Sequence, residues 1–186
     1  MRRTDEDIED ELLVLRCQAG DGEALRALVK RWQPRLGRVA RHLTGDREAA
    51  GDVLQDAWLA IVRGIRRLDD PARFRTWAFR IVTNRCTDWV RRRVVRRKFF
   101  AEARNAGVPT SFEDSGESDS GTEVARLRDA LTKLPEDQRA AVALHYLEGM
   151  GIAEIARVLG VPAGTVKSRL FNARERLRIA MERTEP

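Results

Sequence analysis

The sequence predicts an all-α protein: two small helical domains joined by a flexible linker, the C-terminal one a helix-turn-helix. Three observations predict it. Apolar residues recur at helical spacing through nearly all of the 186 residues, without strand-like alternation or an internal repeat. Residues 105–121 interrupt that rhythm with Gly107, Pro109, Ser111, Ser115, Gly116, Ser118, Ser120 and Gly121, and the charges there, Glu113, Asp114, Glu117 and Asp119, are all acidic. Such a stretch buries too little apolar surface to offset its chain entropy and reads as a tether. Residues 152–170, finally, have the small-residue and glycine pattern of two helices meeting at a tight turn.

Each element has a local reason. Residues 8–19 are apolar on one side, and Gly20-Asp21-Gly22 ends that helix. Residues 23–43 follow, with Pro34 inside; its missing backbone donor is expected to kink or split the helix. Thr44-Gly45-Asp46 offers a turn and an N-cap. A helix over 47–65 places Val53, Leu54, Ala57, Trp58 and Ile61 on its buried side. Leu68-Asp69-Asp70-Pro71 is a loop, and a long helix over 74–98 has Ala78, Ile81, Val82, Cys86 and Trp89 as its core stripe. Beyond the tether, Val124, Leu127, Ala130, Leu131 and Leu134 mark a helix ended by Pro135. Residues 136–148 form another, Gly149-Met150-Gly151 breaks it, and 152–159 are a short helix. Gly160-Val161 turns the chain into a last helix over 162–182, with Pro162 at the first helical position, which tolerates its missing N–H. The expected organisation is a first domain over 1–104, a linker over 105–122 and a second domain over 123–186.

Composition narrows the function. The 35 Lys and Arg against 29 Asp and Glu leave a net charge of +6, and a basic balance favours a polyanionic partner. Cys17 and Cys86 are far apart, with no CxxC and no Cys/His cluster, which argues against a disulfide scaffold and a zinc site. His42 and His145 lack a nucleophile or metal partner in the pattern, and no phosphate-cradling glycine loop occurs. No enzyme, metal or cofactor is therefore expected. No apolar run approaches the ~18 residues of a membrane span, and Met1-Arg2-Arg3-Thr4 leads into acidic residues rather than the apolar core of a signal peptide. A cytoplasmic protein without membrane insertion is expected.

Two surfaces point to nucleic acid. In the helix-turn-helix, Ile152, Ile155, Ala156 and Leu159 are expected to bury one helix against Val166 and Leu170 of the next, with Ala156 small and Gly160 supplying the turn. That leaves Thr165, Lys167, Ser168, Phe171 and Asn172 outward on the helix that would enter a major groove, with Arg169, Arg174, Arg176 and Arg178 adding charge. On the long helix of the first domain, Arg85, Arg91, Arg92, Arg93, Arg96, Arg97 and Lys98 accompany Phe74, Trp77, Phe79 and Trp89. Aromatic rings among basic groups make a stacking platform for unpaired bases. A domain this small is not expected to bury all four rings.

At this point the chain resembles the extracytoplasmic-function sigma factors of bacterial RNA polymerase, over about residues 10–178. Asp52-Val53-Leu54-Gln55-Asp56-Ala57-Trp58 resembles the family's polymerase-clamp-binding helix. Phe74-Arg75-Thr76-Trp77-Ala78-Phe79-Arg80-Ile81-Val82-Thr83-Asn84-Arg85, with Asp88 and Arg91-Arg92-Arg93, resembles its −10 reading and melting helix. Leu131-Thr132-Lys133-Leu134-Pro135-Glu136-Asp137-Gln138-Arg139 and Gly164-Thr165-Val166-Lys167-Ser168-Arg169-Leu170 resemble its −35 reading domain. Gly149-Met150-Gly151 departs from the family's usual lead-in to the helix-turn-helix, and Asn172 stands where a basic residue is often found.

The resemblance implies a non-enzymatic adaptor whose partners are core RNA polymerase (its beta-prime clamp helices and beta flap), promoter DNA and an anti-sigma factor. Asp52, Gln55, Asp56 and Leu59, one outward stripe at i, i+3, i+4 and i+7, would meet polymerase. Asp69, Phe74, Trp77, Asn84, Asp88, Arg91 and Arg92 would hold unpaired −10 bases, one of them flipped into the 68–73 loop. Thr165, Lys167, Ser168, Arg169, Phe171, Asn172 and Arg174 would read the −35 duplex. A stand-alone helix-turn-helix regulator is the alternative, and it would bind duplex DNA tightly without polymerase.

Overall fold

The computed structural model describes residues 4–105 and 123–182, with side chains excepted at 97–105 and at 124. The linker expected at 105–122 therefore lies outside the described residues, save for Asn105, which ends a helix. Among the described residues the chain is all helix, without a strand. Asp5–Gln18 (α1) starts on Thr4, whose hydroxyl accepts from the Asp7 backbone N–H while the Asp7 carboxylate accepts from the Thr4 N–H. This reciprocal cap satisfies two donors that a helix end leaves orphaned. Gly22–Thr44 (α2) is capped by Asp21, and Arg47–Gly64 (α3) by Asp46, each carboxylate accepting two backbone N–H groups.

Pro34 does not split the helix: α2 continues through it as one element. Pro34 is exposed, while Trp32, Leu36, Val39, Ala40 and Leu43 are at most 3% exposed and bind one continuous face to the core. Two short 3-10 turns, Ile65–Arg67 and Pro71–Arg73, flank the predicted loop and lead into Phe74–Asn105 (α4), a longer helix than 74–98. Helices α1 to α4 pack around Trp32, Phe74 and Phe79, whose rings meet edge-on at 5.3 and 6.0 Å from Trp32.

The C-terminal unit comprises Glu123–Thr132 (α5), Glu136–Val142 (α6), Ile152–Leu159 (α7) and Ala163–Glu182 (α8). A π-helical turn, Ala143–Leu147, extends α6 toward the glycine break. Ile155, Val158, Val166, Leu170 and Ala173 are nearly solvent-free, whereas Ile152, Ala156 and Leu159 are half-buried against them. Val158 is a core residue that the sequence pattern did not single out. Pro162 sits one position earlier than expected: its carbonyl accepts from Thr165 and Val166, which makes it the cap of α8. The two units do not stand apart. Helix α7 lies on α4, the π turn and α6 lie on α2, and the buried residues of both units form one continuous cluster.

Candidate nucleic-acid and polymerase interface

On α3 the expected stripe is present. Asp52, Gln55, Asp56 and Leu59 are exposed while Val53, Ala57 and Ile61 face the core. Val62, also exposed, extends the stripe by one apolar side chain beside Leu59. An apolar pair flanked by carboxylates on a firmly packed helix suits a protein partner.

The loop before α4 is held from below. Gln18 donates from its amide to the carbonyls of Ile65 and Leu68 at 3.0 and 2.8 Å, and Asp70 caps the Pro71–Arg73 turn through the Ala72 N–H. Gln18 was not legible as a loop anchor, because it lies 47 and 50 residues away from its partners. Above the loop opens a cavity of about 860 Å³, bordered by Asp69, Asp70, Arg73, Trp77 and Arg80 and closed on the far side by Glu154 and Arg157 of α7.

The four aromatic rings of α4 divide. Phe74 and Phe79 are 1% and 0% exposed. The expectation that Phe74 contacts DNA is corrected: its ring is enclosed between Trp32 and Trp77 and has no face left for a base. Trp77 and Trp89 are half-buried, the latter with the Arg93 guanidinium 5.1 Å from its ring centre. Trp77 packs so closely on Gly64 that a Cβ there would stand 2.8 Å from the indole. Asn84, Asp88, Arg91 and Arg92 are exposed. The first three line a groove of about 510 Å³ whose opposite wall is Glu136, Asp137, Leu159, Val161 and Arg169 of the C-terminal unit.

On α8, Lys167, Ser168, Phe171 and Asn172 are exposed, Phe171 by 63%. Thr165 is half-buried, and its carbonyl accepts from the Ser168 hydroxyl. Gly160 adopts the left-handed conformation (φ +66°) that the turn requires. Two of the expected DNA contacts have internal partners. Arg169 pairs with Asp137 at 2.9 Å, and Arg174 donates to the Tyr146 hydroxyl at 2.7 Å while lying over its ring. Tyr146 carries no motif of its own, so nothing in the sequence announced this seat.

Between the units, His42 is half-buried, its Nε2 finding no hydrogen-bond partner among the described residues. Burial, then the charge of Arg139, hold its pKa below the ordinary histidine value. Burial and the nearby Glu136 carboxylate push the Cys86 thiol up to about 12, so it stays protonated and inert. Both cysteines are buried and free, as expected.

Known proteins share this arrangement. The chain matches the Sigma-70 region 2 family over residues 28–95 and the Sigma-70, region 4 family over 125–177. These matches define its class, a transcription-initiation factor of the Sigma-70 type. It is 34% identical to the ECF RNA polymerase sigma-E factor of Haemophilus influenzae, over 91% of this chain and 94% of that one. It is 39% identical to the ECF RNA polymerase sigma factor SigM of Mycobacterium tuberculosis (86% and 78%). Among solved structures, CnrH in complex with the cytosolic domain of CnrY superposes with a TM-score of 0.71 at 27% identity, covering 95% of this chain and 99% of CnrH. RpoE of Bartonella quintana, in its complex with the anti-sigma factor NepR, shares the fold with a TM-score of 0.65 at 23% identity, over 87% and 98%. The chain belongs to the extracytoplasmic-function (ECF) family of RNA polymerase sigma factors. Members bind RNA polymerase and direct it to promoters; they are initiation factors rather than catalysts. No helix among the described residues is long and apolar enough to cross a membrane.

Proposed function

We propose that this sigma factor reads its promoters in two parts, with domains over about 1–104 and 123–186 joined by the 105–122 linker. Helix α8 enters the −35 major groove and presents Lys167, Ser168, Phe171 and Asn172 to base edges, with Thr165, Arg169 and Arg174 beside them. Arg169 and Arg174, which pair with Asp137 and Tyr146 in the free chain, add phosphate contacts. In the N-terminal unit, the 68–73 loop takes a flipped base, Trp77 supplies a stacking face, and Asn84, Asp88, Arg91 and Arg92 track the unpaired −10 strand. The stripe Asp52, Gln55, Asp56 and Leu59 docks on the polymerase clamp, and the C-terminal unit meets the beta flap. RpoE of Bartonella quintana is in complex with the anti-sigma factor NepR in its solved structure; a partner of that kind is the expected restraint in the cytoplasm. The observation that carries the reading is that one chain combines an exposed helix-turn-helix face, with Lys167, Ser168, Phe171 and Asn172, and an exposed polar and basic face on α4, with Asn84, Asp88, Arg91 and Arg92.

Run-off transcription with core polymerase on a genomic promoter library tests it. Discrete transcripts that depend on the added chain are expected, and K167A or F171A should change −35 preference while leaving polymerase association intact. Tight binding to duplex DNA without polymerase, and no transcripts, would establish the stand-alone regulator instead.

A further inference from the structure

A cluster of charged contacts centred on Glu148 fastens the C-terminal unit to the N-terminal one. The Glu148 carboxylate is 1% exposed and sits between two arginines of α2, 3.0 Å from Arg35 Nε and 3.1 Å from Arg38 Nη2. Arg75 of α4 donates to the Glu148 carbonyl and lies 3.9 Å from the Glu154 carboxylate. The receiving side is built by the first unit alone, because the Arg35 guanidinium rests over the Trp32 ring at 4.5 Å. The presenting side is equally formed. The π turn ends on Glu148, Gly149 turns at φ +62°, Met150 is fully buried, and its carbonyl lies 3.0 Å from His145 Nδ1. A buried carboxylate stripped of its partners is strongly unfavourable, so separation must release Glu148 to water. The contact thus behaves as a two-position catch.

What the catch holds shut is the −10 reading surface. With the units joined, Glu136 and Asp137 face Asn84, Asp88 and Arg91 across the groove, and Glu154 and Arg157 close the loop cavity. A DNA strand and the C-terminal unit therefore claim the same space. We propose that Glu148, seated on Arg35, Arg38 and Arg75, latches a self-silenced state of the free sigma factor in which the C-terminal domain covers the −10 surface. The inference rests on the two-part promoter reading above. It goes beyond it in assigning Glu148 and the two α2 arginines a regulatory role, with no part in DNA or polymerase contact.

The test uses the full chain without polymerase. Glu148→Gln keeps the shape and removes the charge; Arg38→Ala, at a partly exposed position, breaks the same contact from the other side. Small-angle scattering should show a larger radius of gyration for both. Fluorescence anisotropy with a labelled single-stranded oligodeoxynucleotide of mixed sequence should show binding about tenfold tighter, because the fraction of open molecules sets the apparent affinity. Far-UV circular dichroism should be unchanged, since a latch joins units that are already folded. Unchanged scattering and affinity in both variants would overturn the proposal, as would loss of helicity in both. Run-off transcription separates this outcome from the promoter reading. A chain that opens but gives no transcripts defeats that reading, whereas one that transcribes but never opens defeats the latch alone.

Discussion

Phe74 and Trp77 stand three residues apart on α4, yet one is core and the other borders the loop cavity. The spacing alone places them within about a sixth of a turn of each other. What separates them is Trp32, brought in by α2, whose ring meets Phe74 edge-on at 5.3 Å. Phe74→Ala should therefore act as a core truncation and cost about 3–5 kcal/mol, read as a lower urea midpoint with the slope retained. A small stability change with weakened single-strand binding would instead return Phe74 to the DNA surface. The mixture of aromatic and basic residues on this helix was legible in the sequence. Which ring faces inward was not, because that depends on a residue some forty positions earlier in the chain. Arg169 and Arg174 belong to the same case: their charge was evident, but Asp137 and Tyr146 as their seats were not.

Elements whose signals are local were the most legible. Asp21 and Asp46 cap the helices they precede, and Gly160 ends α7 in the left-handed conformation with its N–H on the Ala156 carbonyl. A side chain at that backbone angle is disfavoured, so Gly160→Ala should destabilise the helix-turn-helix by about 1–2 kcal/mol. No atom stands within 4 Å of a Cβ added there, so the cost is conformational rather than steric. Thermal unfolding should show the loss, and an unchanged midpoint would mean that the turn relaxes freely. Pro34 marks where local reading fails. Its missing N–H falls on an exposed side of α2, while the apolar face from Trp32 to Leu43 stays packed on both sides of it. Tertiary burial outweighs a single lost bond, and only the packed partner reveals it. The π turn at Ala143–Leu147 was equally hidden, because its apolar spacing continues that of α6.

At the scale of the molecule, the sequence announces two units and a tether but not their embrace: Glu148 and Arg38 lie 110 residues apart. The same junction contains His42, and its titration gives the closed state a pH dependence whose direction follows from burial. His42 lies on α2, with Arg139 of α6 nearby and Glu136 and Cys86 around that arginine. Its pKa is lowered in the closed chain, by burial first and by Arg139 second, from an ordinary value of 6.5. The separated state therefore takes up the proton more readily. Closure is fully favoured above that value and weakens as pH falls through it, because the open form is then stabilised by protonation. Carboxylates titrate mainly below about pH 5, so the interval from about pH 7.5 to about 5.5 leaves them out, and the His42→Leu variant isolates this histidine. Over that interval the radius of gyration of the wild-type chain should rise, and that of His42→Leu, which has no proton to gain, should stay constant. If the leucine variant expands as the wild type does, another group carries the response and His42 is only a buried side chain of the junction.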